Sequence, residues 1–179
     1  MEILTNKESW RKAVQKIITF RYLEDNELDH VLAAGDILKY DGEEPIIEEG
    51  EIDQCIFGVL KGTVCVNVKE NDGKDVFICS LGAGEIFGEA GFFLKIKRTA
   101  SVTAKDKAVV FKLSRNELMN HIREFPTAGN KILLITIYGL LRKLRGANQE
   151  LAYERKGDME QSDIDDIIND LLVSSPENP

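Results

Sequence analysis

Histidine is nearly absent: only His30 and His121 occur. Each falls in a stretch whose apolar spacing reads as helix. A metal-dependent enzyme of the cupin type needs several His and carboxylate ligands converging inside a barrel, and two helical histidines do not supply them. Ser–His or Cys–His catalysis has no better footing. His30 reads as a solvated surface residue. Cysteine is also scarce: Cys55, Cys65 and Cys79 are odd in number and form no C-x-x-C pair. They read as buried free thiols in a reducing cytoplasm. No apolar run is long enough to cross a membrane, and Met1 to Trp10 lacks the apolar core of a signal peptide, so the expected location is cytoplasmic, without membrane contact. A basic surplus is missing too. The net charge of −8 argues against a nucleic-acid-binding face.

That negative charge is local. Residues 157–179 carry Asp158, Glu160, Asp163, Asp165, Asp166, Asp170 and Glu177 with no Lys or Arg, which leaves 24 acidic against 23 basic residues elsewhere. The body is close to neutral. Its 43% apolar content suffices for a core, and 179 residues make one domain with some chain to spare. Trp10, Val14, Ile17 and Ile18 have helical spacing and predict an amphipathic helix over Asn6–Phe20; Leu28, Val31 and Leu32 predict a second over Glu24–Leu32. From Gly35 short β-rich runs alternate with turn signals: Ile37–Tyr40, Pro45–Glu48, Cys55–Leu60, Thr63–Val68, Asp75–Leu81, Thr99–Thr103 and Ala108–Leu113. Asn71-Asp72-Gly73 is a hairpin signal. Ser114 is placed to cap a helix of Glu117–Ile122. The expected fold class is α+β, an antiparallel jelly-roll-like β-roll flanked by N-terminal helices and a long C-terminal helix. The expected divisions are 1–34, 35–113, 114–156 and 157–179.

The chain is organised around Gly84–Val102, GEIFGEAGFFLKIKRTASV. It reads as a strand end, a Gly88-Glu89 step, a short apolar helical turn over Ala90–Leu94, and a basic lead into another strand. Such a turn points backbone N–H groups outward, where an anion can sit. Arg98, nine residues after Glu89, can aim a planar fork of donors at the same point. Ionised Glu89 only accepts hydrogen bonds and suits sugar hydroxyls. Together these groups describe a site for a phosphorylated ribose.

The stretch resembles the phosphate-binding cassette of cyclic-nucleotide-binding domains, F-G-E-[LI]-[AG]-L, a spacer, then P-R-[TSA]-A-[TS]-V. Phe87, Gly88, Glu89, Gly91, Arg98, Thr99, Ala100, Ser101 and Val102 match; Ala90 replaces Leu or Ile, and Lys97 the frequent Pro. Similarity to catabolite-activator-type effector domains runs from about Ile17 to Leu144. It implies that Arg98 and the amides of Glu89 and Ala90 hold the phosphate, that Glu89 takes the ribose 2′-OH, and that Thr99 reaches the phosphate or a guanine amino group. It implies a C-terminal helix that lids the base, with Asn148 or a neighbour touching the ring. The expected ligand is cAMP or cGMP, with no cofactor. An alternative has Glu89 pairing with Arg98 in a domain that has lost its ligand.

Thr127–Lys156 has no proline. Leu133, Ile137, Leu140, Leu144, Ala147 and Leu151 form a heptad-like seam that predicts a homodimer. A second line, Leu134, Tyr138 and Leu141, is spaced to cover the β-roll; a single core groove for the whole helix is the other possibility. Gly139 and Gly146 weaken the helix. Ile164, Ile167, Ile168, Leu171 and Leu172 make an apolar stripe over 163–173, which can dock on the chain itself or on a protein partner. Too few residues follow the long helix for a helix-turn-helix reader, so DNA is not an expected partner. The reading is a non-enzymatic cyclic-nucleotide receptor signalling through its C-terminal helix and tail. A ligand-free interaction module is the alternative.

Overall fold

A computed structural model describes residues 1–70, 73–94 and 96–173, with backbone alone for 150–173. Asn71 and Asp72 of the expected hairpin lie outside the described residues. No described helix is long and apolar enough to cross a membrane. The chain divides into two bodies, Met1–Ile135 and the part from Thr136 onward.

The first body opens with β1 (Glu2–Ile3), a 3₁₀ turn, α1 (Arg11–Lys16), a second 3₁₀ turn at Ile18–Phe20 and α2 (Asp25–Ala34). There follow β2 (Asp36–Tyr40), β3 (Pro45–Ile47), β4 (Cys55–Lys61), β5 (Val64–Lys69), β6 (Asp75–Leu81), β7 (Ile86–Phe87), α3 (Glu89–Leu94), β8 (Ser101–Ala104), β9 (Ala108–Ser114) and α4 (Arg115–Glu124). Two antiparallel sheets build the roll, one ordered β1-β2-β9-β4-β7 and the other β3-β8-β5-β6. The expected α+β roll is therefore the observed one.

The single helix expected over Asn6–Phe20 is broken at Ile17, which is extended (ψ 128°). The Ile18 amide donates instead to the Gly84 carbonyl at 2.9 Å. The fully buried Ile17 side chain lies against Gly58 of β4, where an added Cβ would come within 2.5 Å of it. A tertiary fit thus overrides helix propensity. α2 and α4 each start with a reciprocal capping box, Glu24 with Glu27 and Ser114 with Glu117.

The first sheet is buried on both faces. Ile56 and Leu60 of β4 and Phe111 and Leu113 of β9 meet the helices, while Phe57, Val59 and Val110 fill the roll. This explains why β4 is continuously apolar rather than alternating. Two sequence expectations fail here. Of the cysteines only Cys55 is buried; Cys65 is half-buried and Cys79 is exposed. His30 is half-buried rather than solvated: its Nδ1 lies 3.1 Å from Nδ1 of His121, which is 1% exposed, and its Nε2 lies 3.0 Å from a Glu124 carboxylate oxygen.

The last element is α5 (Pro126–Val173), with proline at its first position, where no N–H is needed. It runs unbroken through Gly139, Gly146 and the segment expected as a separate tail helix. Ala128 and Ile132 of its first turns join the core. Leu134, expected to cover the roll, is 67% exposed, and Tyr138 and Leu141 of the same line are exposed as well. Leu151 and the side chains of 163–173 lie outside the described residues.

Candidate functional site

β7 pairs with β4, Phe57 opposite Phe87, and their rings stack at 5.1 Å. The chain then turns at Gly88 (φ +79°), a conformation that favours glycine. A Cβ there would also lie 2.8 Å from Nη1 of Arg98. The Gly88 carbonyl accepts from the Phe92 amide at 3.2 Å, so the amides of Glu89, Ala90 and Gly91 precede the first intrahelical bond of α3. Gly91 is buried, and an added Cβ would sit 3.1 Å from the same Nη1.

Arg98 is 4% exposed. Its own backbone is clamped to the loop before β4: its amide donates to the Glu51 carbonyl, and its carbonyl accepts from the Gly50 amide, both at 2.8 Å. The guanidinium donates from Nη1 to the Gly88 carbonyl (2.8 Å) and from Nη2 to the Cys55 carbonyl (2.9 Å) and Asp53 Oδ2 (3.1 Å). Nε is buried and finds no acceptor. The Phe57 ring lies 5.7 Å from the guanidinium carbon. Burial would raise the Asp53 carboxyl, but the Cys55 thiol, Lys112 and Arg98 together hold it below the usual carboxylate range. Burial and then the Asp53 carboxylate push the Cys55 thiol up to about 12, so it stays protonated and donates to Asp53.

The structure brings together most of the residues singled out in the sequence. Phe87 is buried under the site; Glu89 and Ala90 are half-buried at the start of α3; Thr99 is exposed and Ala100 half-buried just beyond Arg98. Asn148 is exposed on α5, in the second body. The sequence reading assigned Glu89 to a ribose hydroxyl, and only its ligand-free alternative paired Glu89 with Arg98. The carboxylate that meets it belongs to Asp53, 45 positions back. Asp53, Cys55 and Lys112 were missed because only the β4–β9 and β4–β7 registers bring them to the cassette. Among the described residues no group of three or more His, Cys, Asp or Glu converges as a metal site.

The sequence profile of the cyclic nucleotide-binding domain matches residues 37–125, which include all of β2 but its first residue, β3 to β9, the turn into α3 and Arg98. The chain belongs to the cyclic nucleotide-binding domain family. It is 31% identical over 128 residues to the cAMP-activated global transcriptional regulator CRP of Haemophilus influenzae, a match covering 71% of this chain and 55% of that protein. It is 30% identical to CRP of Pasteurella multocida, covering 72% of this chain and 60% of the relative. The chain thus spans less than two thirds of the length of these two curated relatives. Among solved structures, a cyclic nucleotide-binding domain from Methylobacillus flagellatus superposes with a TM-score of 0.74 at 22% identity, covering 80% of this chain and 83% of that one. The catabolite activator protein of Thermus thermophilus does so with a TM-score of 0.66 at 28% identity, covering 75% and 61%.

Proposed function

We propose that this chain is a non-enzymatic receptor for a cyclic nucleotide, cAMP in the first place and cGMP in the second. The observation that carries this reading is Arg98: a buried cation beside the Gly88 turn, with one buried N–H left without an acceptor. A buried guanidinium is costly unless its donors are used, and an entering phosphate oxygen would use this one. The regulators named cAMP-activated among the relatives favour cAMP. In this reading Glu89 takes the ribose 2′-OH, the amides of Glu89 and Ala90 support Arg98 on the phosphate, and Thr99 stands beside it. α5 closes over the base with Asn148 or a neighbour on the ring, and the change passes to the acidic segment 163–173. The ligand shifts that equilibrium only by its differential affinity for the two states. The seam of Leu133, Ile137, Leu140, Leu144, Ala147 and Leu151 joins two copies.

Calorimetric titration in low-phosphate buffer, first with cAMP and then with cGMP, tests the reading. Saturable binding by the wild-type chain and its loss in Arg98→Ala are the expected results. Undiminished binding by Arg98→Ala overturns it. So does the absence of heat with both ligands up to about millimolar concentration, roughly −4 kcal/mol, which would leave the ligand-free interaction module standing.

A further inference from the structure

A guanidinium offers parallel N–H pairs to a phosphate along two edges, Nε with Nη2 and Nη1 with Nη2. Both edges include Nη2. In Arg98 the two hydrogens of Nη2 are already given to the Cys55 carbonyl and to Asp53 Oδ2. The first acceptor is backbone of β4, held in register between β7 and β9. The second is a side chain on the loop just before β4, 36% exposed and outside any strand ladder. A phosphate can therefore grip Arg98 through two parallel bonds once Asp53 lets go, and its second bond would then fall to the orphaned Nε.

We infer that Asp53 is an internal anion that competes with the ligand phosphate for Nη2 of Arg98 and thereby sets the affinity of the site. The inference rests on the receptor reading. The side-chain surroundings of Asp53 fit a carboxylate that can leave. It receives the Cys55 thiol, and it lies in the field of Lys112, whose ammonium sits 5.8 Å from the centre of the Phe57 ring. When Arg98 is taken up by the ligand, the neutral thiol still gives the carboxylate a hydrogen bond and Lys112 still supplies a nearby positive charge. The Asp53–Arg98 bond is a charge-assisted one, so losing the competitor is a change of about tenfold or more in affinity.

The experiment titrates wild-type chain, Asp53→Asn and Arg98→Ala with cAMP and with cGMP by calorimetry. Asp53→Asn keeps the shape and an acceptor oxygen but removes the charge. It is expected to bind at least about tenfold tighter than wild type, or to bind where wild type does not, while Arg98→Ala stays silent. Wild-type binding as tight as, or tighter than, that of Asp53→Asn overturns the inference and leaves the receptor reading in place, with Asp53 as a residue that orients Arg98. Silence of both wild type and Asp53→Asn overturns the two together. A measurement on the wild-type chain covers a variant that fails to fold: the carboxyl carbon resonance of Asp53 is titrated with pH, with and without saturating cAMP. Its midpoint should rise when the ligand holds Arg98, and an unmoved midpoint overturns the competition.

Discussion

Arg98 and His121 are both buried side chains of ionisable type, and their surroundings treat them in opposite ways. Arg98 is held as a cation by Asp53 and two carbonyls, with only Nε left without an acceptor. His121 is enclosed by α2 and α4, and burial first, then the neighbouring His30, lowers its pKa; Glu27 and Glu124 pull the other way. His121 is thus held neutral in the folded chain, while the unfolded chain protonates it near pH 6.5. The unfolded state binds the extra proton, so this contribution to stability is complete above about pH 6.5 and falls away as the pH drops below it. The melting temperature should decline from pH 7 to pH 5, and His121→Gln should flatten that slope. An equal slope in the variant would assign the decline to other groups. Asp53, held below the carboxylate range, acts at lower pH. The Glu89–Arg98 motif was legible residue by residue, because the cassette is contiguous. The histidine pair was not, because its members are 91 positions apart and meet only when α2 packs on α4.

Strand and helix limits followed short-range signals closely. β6 spans the expected Asp75–Leu81, and Ser114 caps α4 as its spacing with Glu117 suggested, though the helix is longer than Glu117–Ile122. Removing that cap tests the element directly. Ser114→Ala should cost about 1 kcal/mol in a denaturant titration without changing the cooperativity of unfolding. A variant as stable as wild type would show that the Glu117 half of the box carries the helix start alone. Where short-range signals failed, a long-range contact won. The N-terminal helix breaks because Ile17 must seat on Gly58 and Ile18 must donate to Gly84. α5 runs on into the acidic segment because nothing between Thr127 and Val173 forbids a helix: the sequence there holds no proline, and its glycines, Gly129, Gly139, Gly146 and Gly157, cost only about 1 kcal/mol each.

At the scale of the whole molecule, α5 presents exposed apolar residues that a partner helix can cover. Ile137 and Leu144 of the heptad-like seam are 53% and 57% exposed, and Leu140 is exposed as well. A seam of this period is satisfied by a second helix of the same kind. Sedimentation should find the wild-type chain as a dimer and Ile137→Asp with Leu144→Asp as a monomer of unchanged cyclic-nucleotide-domain fold by circular dichroism. A wild-type monomer would remove the seam as a self-association surface.

By itself the sequence determined the class of fold, the roll's strand runs, the cassette and its arginine, since each depends on alternation, turn residues or spacing within a few positions. Only the tertiary structure decided which carboxylate Arg98 holds, that the first sheet is covered on both faces, and that His30 faces His121. These depend on strand register and helix packing, which bring together residues tens of positions apart and leave no periodic trace in the chain.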